Sequence, residues 1–233
     1  METFIRYYDS ALPAAFCREI CARFDADKRA RPGAMNATGG NVVLAGKITT
    51  EIVLSDAPGW EDVDGQLKAS MAEHFPRYRD EVKFLAGSDH KDLLFEALRV
   101  KRYPVGGSFE WHIDNSGPQT RDRVLAVQWY FNSVAEGGRT EFQDMGIGVE
   151  AVEGRVVFFP VTWIHRHRGA APPHLRHHFA PRRGQDHADG EAAAVLRRDP
   201  DRRQRQGPQG QPPRHQRLDG DRKAARHFGG VVG

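Results

Sequence analysis

Between residues 93 and 160 the chain breaks into short segments of strand length and composition, at 93–103, 108–113, 124–132, 140–142 and 155–160. Glycine pairs at Gly106-Gly107 and Gly137-Gly138 separate several of them as turns. Upstream, Phe16, Ile20 and Phe24 recur at every fourth position behind Leu12-Pro13, and Trp60, Val63, Leu67, Met71 and Phe75 form a second apolar stripe. Those spacings predict two amphipathic helices, with Pro13 tolerated where the first one opens. A strand is expected at 4–8 and two more around Val42-Val43-Leu44 and Ile52-Val53-Leu54, with a polar, glycine-containing loop at 25–40. Two helices followed by a run of short strands fit a mainly β, α+β chain in which helices back a β-sandwich or jelly roll.

One of these strands carries chemistry. In Ser108-Phe-Glu-Trp-His112-Ile-Asp114 the apolar Phe109, Trp111 and Ile113 alternate with Ser108, Glu110, His112 and Asp114. The alternation gathers the polar set on one face, where an imidazole and a carboxylate can hold one cation side by side. His-x-Asp alone is a weak signal, because His90-Lys-Asp92 and His187-Ala-Asp189 share it in polar surroundings where solvated charge is the simpler reading. A third ligand from a distant strand would complete a two-His-one-carboxylate triad with positions left open, as on a non-haem iron(II). The β-forming run Gly154-Arg-Val-Val-Phe-Phe-Pro160 leads to two candidates, His165 and His167. Arg166 and Arg168 beside them allow a different reading, an anion-binding strip.

Charge divides the chain. Residues 1–170 carry 21 Lys+Arg against 24 Asp+Glu, a net of −3, so residues 171–233 hold +6 and bring the overall balance to +3. The basic balance therefore says little about nucleic acid binding by the folded part. From 171 onward there is no Trp, Tyr, Ile, Met, Cys, Ser, Thr or Asn, and Arg, Gln, Pro, Gly, Asp and His dominate. Such a composition buries too little apolar surface to offset its ordering entropy, which predicts a domain at 1–170 and a disordered tail at 171–233. Cys17 and Cys21, one helical turn apart, are expected as reduced thiols on a packed face. With no signal peptide and no apolar run long enough to span a membrane, the expected location is the cytosol.

Taken together, these segments resemble the iron(II) and 2-oxoglutarate-dependent oxygenases of the prolyl 4-hydroxylase type. The matching pieces run in that family's order over most of residues 1–170. They are the Phe4-to-Cys17 opening, Arg102-Tyr103-Pro-Val-Gly-Gly-Ser-Phe-Glu-Trp-His112-Ile-Asp114, Val127-Gln-Trp-Tyr-Phe-Asn132, Gly137-Gly-Arg-Thr-Glu-Phe142, and Gly154-to-Pro160 leading to His167. The resemblance implies a double-stranded β-helix core. It implies Fe(2+) held by His112, Asp114 and His167, with His165 the fallback, and 2-oxoglutarate and O2 as co-substrates, with ascorbate a candidate reductant. Tyr103, Tyr130 and Thr140 match positions near the 2-oxoglutarate. Arg176, nine residues past His167, is the candidate for the basic residue that holds its far carboxylate.

At that point the chain departs from the family. Where a basic residue followed by an aromatic-aliphatic strand is expected, it reads Ala171-Pro-Pro-His-Leu-Arg176-His-His-Phe179. A slip of the coding frame near Pro172 to His174 would produce this, and the other two frames of the gene test it. Three rivals follow: a member that binds metal or a partner but has lost 2-oxoglutarate, a cupin-like metal fold with Glu110 as its poorly placed extra ligand, and non-specific nucleic acid binding through the basic tail. The expected partner is a small-molecule or protein substrate, and the loops at 25–40 and 117–123 carry no readable code for which.

Overall fold

The computed structural model describes residues 2–37, 40–42, 46–82, 93–169 and 189–198. Strand β1 (Arg6–Tyr8) leads into helix α1 (Ala14–Ala26), which buries Phe16, Cys17, Ile20 and Phe24 along one stripe. Helix α2 (Glu61–Glu81) buries Val63, Leu67, Ser70, Met71 and Tyr78, and carries Glu61, Asp62 and Asp64 in its first turn, where carboxylates face the positive end of the helix dipole. Both helices are the ones the spacing predicts. Among the described residues no helix is long and apolar enough to cross a membrane.

The strands are β2 (Arg31–Pro32), β3 (Met35–Ala37), β4 (Gly40–Val42), β5 (Thr50–Val53), β6 (Leu93–Phe95), β7 (Arg99–Tyr103), β8 (Phe109–His112), β9 (Arg123–Tyr130), β10 (Thr140–Phe142), β11 (Ile147–Val149), β12 (Val156–Pro160), β13 (His167–Gly169) and β14 (Asp189–Arg198). The larger sheet runs β1-β12-β9-β14-β7-β5-β2, with β6 pairing the far end of β14, and the smaller runs β11-β10-β13-β8. The strand pairings within both are antiparallel. The double-stranded β-helix is the architecture that these two sheets and the backing helices make.

Period-two alternation explains how the larger sheet serves two cores. From β9 and β12, Val127, Trp129, Val156 and Phe158 join the cluster formed with α1 and α2, whereas Ala126, Tyr130, Val157 and Phe159 pack with Phe142 and Val149 of the smaller sheet. The helical layer is tied on by hydrogen bonds as well: Trp129 Nε1 donates to Ser70 Oγ at 3.0 Å, and Ser70 Oγ donates to the Ala11 carbonyl at 2.9 Å. Gly154 turns the chain into β12 with φ +80°, and a Cβ there would lie 2.6 Å from the Leu12 carbonyl oxygen. One buried ion pair underlies the sheet edge. Lys47 Nζ donates to Glu51 Oε2 at 3.1 Å and to the Ala34 carbonyl at 2.8 Å, and lies 5.2 Å above the Phe109 ring.

Several expectations need correction. The loop expected at 25–40 contains β2 and β3 and the first residue of β4, and the single strand expected at 93–103 is two, β6 and β7. The largest correction concerns 171–233. Residues 189–198 are no tail: β14 lies between β9 and β7 and hydrogen-bonds to both, with Ala192 and Leu196 buried in the helical core. Composition averaged over the whole segment hid one short stretch, Ala192-Ala-Ala-Val-Leu196, small enough to fill the slot between two strands. His90, Asp92, Arg176 and His187 lie outside the described residues, as does everything after Arg198.

Candidate metal centre

His112 ends β8, Asp114 follows two residues later, and His167 opens β13, directly opposite His112 in the strand register. One ligand atom from each of the three lies within 4.8 Å of the others. His112 Nε2 is 3.6 Å from Asp114 Oδ1, and His167 Nε2 is 3.8 Å from Asp114 Oδ2. The two rings face each other with centroids 4.2 Å apart.

The backbone decides which nitrogen of each ring is free. His112 Nδ1 lies 2.7 Å from the Glu110 carbonyl oxygen and His167 Nδ1 lies 3.0 Å from the His165 carbonyl oxygen. A carbonyl only accepts, so both Nδ1 atoms carry a proton, and both Nε2 atoms are left on the side of the Asp114 carboxylate. Rings held this way are oriented as ligands usually are. Phe109 stacks on His112 at 3.6 Å, and Phe159 meets His167 edge-on at 4.8 Å, fixing both planes with apolar contacts. Burial, then the neighbouring His167, push the His112 pKa down to about 3 against the attraction of Asp114, so this ring is neutral at physiological pH. Burial alone would raise Asp114, but His167, His112 and Lys101 together hold it below the usual carboxylate value, so it is ionised. Two imidazoles and one carboxylate suit a divalent first-row metal.

His165, the other candidate, is spent elsewhere. Its Nδ1 sits 2.9 Å from Thr162 Oγ1 and its Nε2 3.0 Å from the Thr3 carbonyl oxygen, in a short 3₁₀ turn (Trp163–His165) that aims the ring at β1's approach. Of the two arginines read as an anion strip, Arg168 is engaged within the chain: its Nε donates to Glu141 Oε2 at 2.6 Å and its guanidinium lies over Trp111.

The pocket that holds the triad is lined also by Lys101, Tyr103, Gln128, Thr140 and Glu191. Tyr103 and Thr140 thus border the same pocket as the triad. Tyr130 stands behind Thr140, with its hydroxyl 2.6 Å from Thr140 Oγ1. Sequence reasoning missed Lys101, Gln128 and Glu191. Gln128 had a signal, as a lone amide inside the apolar run Ala126-Val-Gln-Trp-Tyr130, and Lys101 shares the Arg99-Lys101-Tyr103 face of β7. Glu191 had none, because its strand was read as tail. Burial raises the Glu191 pKa, against Lys101 and the Tyr103 hydroxyl.

Residues 98–183 match the family model described as the 2OG-Fe(II) oxygenase superfamily. Three solved structures show the likeness of fold. The viral collagen prolyl hydroxylase of Paramecium bursaria Chlorella virus-1, solved with 2OG, has 14% identity and TM-score 0.57, covering 84% of this chain and 96% of that one. A Pseudomonas putida prolyl-4-hydroxylase has 20% identity and TM-score 0.56, covering 84% of this chain and 93% of that one. A Trichoplax adhaerens prolyl hydroxylase, solved with a hypoxia inducible factor peptide fragment, has 14% identity and TM-score 0.62, covering 84% of each chain.

Proposed function

We propose that this chain, whose residues 98–183 match the 2OG-Fe(II) oxygenase superfamily model, is an iron(II)- and 2-oxoglutarate-dependent dioxygenase that hydroxylates its substrate and releases succinate and carbon dioxide. The observation that carries this reading is the pair of Nε2 atoms, set by the Glu110 and His165 carbonyls, that meet one carboxylate. His112, Asp114 and His167 would hold the iron, which when bound supplies the oxygen-activating chemistry no side chain provides. Three protein ligands leave positions for co-substrate and oxygen.

The chain's own part is positioning. The Nδ1 protons of His112 and His167 stay on their carbonyls, so neither ring turns when a ligand binds. Phe109, Phe142 and Phe159 surround the two imidazoles with apolar surface and keep water from that side. Tyr103 and Thr140 border the same pocket and are proposed as co-substrate contacts, with Tyr130 acting through Thr140. Arg176 keeps the role the resemblance gives it, as a proposal. The substrate class stays with peptidyl proline, as in the names of the similar structures, another protein side chain, or a small molecule.

The test is a paired measurement on the full chain: Co(II) absorption for binding, and succinate release in the presence of iron(II) and 2-oxoglutarate. His112→Ala is expected to lose both, and unchanged succinate release from that variant removes His112 from the ligand set. A second reading is favoured by one observation, the buried Glu191 carboxylate facing the pocket: a member that binds metal but does not retain 2-oxoglutarate. Saturable 2-oxoglutarate binding by iron-loaded protein decides for the first, its absence for the second.

A further inference from the structure

We infer that the pocket wall beside the triad is a carboxylate-binding subsite, built from Lys101, Tyr103 and Gln128, and that the chain's own Glu191 fills it. Glu191 lies on β14, with β7 on one side and β9 on the other, opposite Lys101 and Tyr130 in the register. Alternation turns Glu191, Ala193 and Val195 toward the pocket, and Ala192 and Leu196 toward the helices. The donors come from the flanking strands. Tyr103 Oη donates to Glu191 Oε1 at 3.3 Å, Lys101 Nζ lies 3.7 Å from the same oxygen, and Gln128 Nε2 donates to Oε2 at 2.6 Å. Gln128 is itself fixed, because its Nε2 also reaches Thr140 Oγ1 at 3.0 Å.

Three donors from two strands meeting at one carboxylate make a pocket wall that fits an anion. Glu191 is only 8% exposed, and without it the buried Gln128 amide and the half-buried Lys101 and Tyr103 would lose a partner. The occupant's chemistry follows from the occupant's own structure. A glutamate side chain is a –CH2–CH2–COO− group, which is also the far end of 2-oxoglutarate and all of succinate but one carboxylate. A free carboxylate of that kind would meet the same three donors and must displace Glu191 to do so, since two carboxylates cannot share one set of donors without strong repulsion. The ligand's identity as 2-oxoglutarate rests on the proposed function; the subsite for a small carboxylate does not.

Acetate replaces the atoms lost in Glu191→Ala, which makes it the probe. Calorimetric titration of the full chain, metal-free and with Co(II), compares wild type, Glu191→Ala and Glu191→Gln. Acetate and succinate are expected to bind the Ala variant about ten-fold or more tighter than wild type, with no gain for Gln, which still fills the space. Adding Lys101→Ala to Glu191→Ala is expected to erase the gain. An Ala variant that binds acetate no better than wild type overturns the inference. So does saturable acetate binding by the wild-type chain at the variant's affinity, an arm that needs no substitution to fold; Glu191→Ser replaces the Ala variant if that one does not. Because the metal-free titration reads the carboxylate alone, failure of Co(II) to bind His112, Asp114 and His167 sinks the proposed function and leaves this result standing.

Discussion

At the scale of single residues, His165 and His167 are the sharpest comparison. Spacing treats them alike, since two positions apart on a strand means one face. What separates them is that residues 163–165 form a 3₁₀ turn before β13 begins, so the two rings leave the backbone in different directions. Sequence could supply the pair but not the choice, which depends on contacts with Thr162 and Thr3 on one side and Asp114 on the other. His165→Ala is therefore expected to lower stability by about 1–3 kcal/mol, by leaving buried polar groups unpaired, while Co(II) binding persists. Urea denaturation and Co(II) titration of the same sample check it, and loss of the metal without loss of stability would reverse the two histidines' roles. His112 and Asp114 were legible for a local reason: both sit within one strand's alternation, and nothing far away had to be known.

Elements were legible in proportion to their self-sufficiency. The stripes of α1 and α2 and the runs of β9 and β12 announce themselves, because each carries enough apolar residues to define its own face. Strand β14 does not: alanine is a poor strand former, charged and polar residues flank it, and its place is set wholly by β7 and β9. Glu191 goes with it, since this strand brings that carboxylate to the pocket. Leu196 measures the strand's worth. At 2% exposure in the helical core, Leu196→Ala is expected to cost about 2–5 kcal/mol, whereas a residue in a solvated tail would cost nothing measurable. Thermal or urea unfolding of the variant decides between them.

For the molecule as a whole, pH provides a handle through Lys47. Burial, and then the charge of Lys101, push its pKa from the ordinary 10.5 down to about 8, against the pull of Glu51. Between those values the unfolded chain binds the proton that the folded chain has released, so stability rises with pH there. Relative to Lys47→Met, which cannot titrate, the wild-type protein is expected to gain stability from about pH 8 to 10.5 and to show a flat difference below. Urea midpoints of both chains at matched pH values test this, and a difference that falls with rising pH would contradict the buried placement of the amine.

The insertion of β14 between two strands made much earlier in the chain also bears on biosynthesis. A ribosome delivers β7 and β9 long before it delivers their shared neighbour, so the nascent sheet waits with two unpaired edges facing each other across a gap. Any carboxylate donors on those edges stay uncommitted for that interval, and a small carboxylic acid in the cell could reach Lys101, Tyr103 and Gln128 before Glu191 arrives to take them.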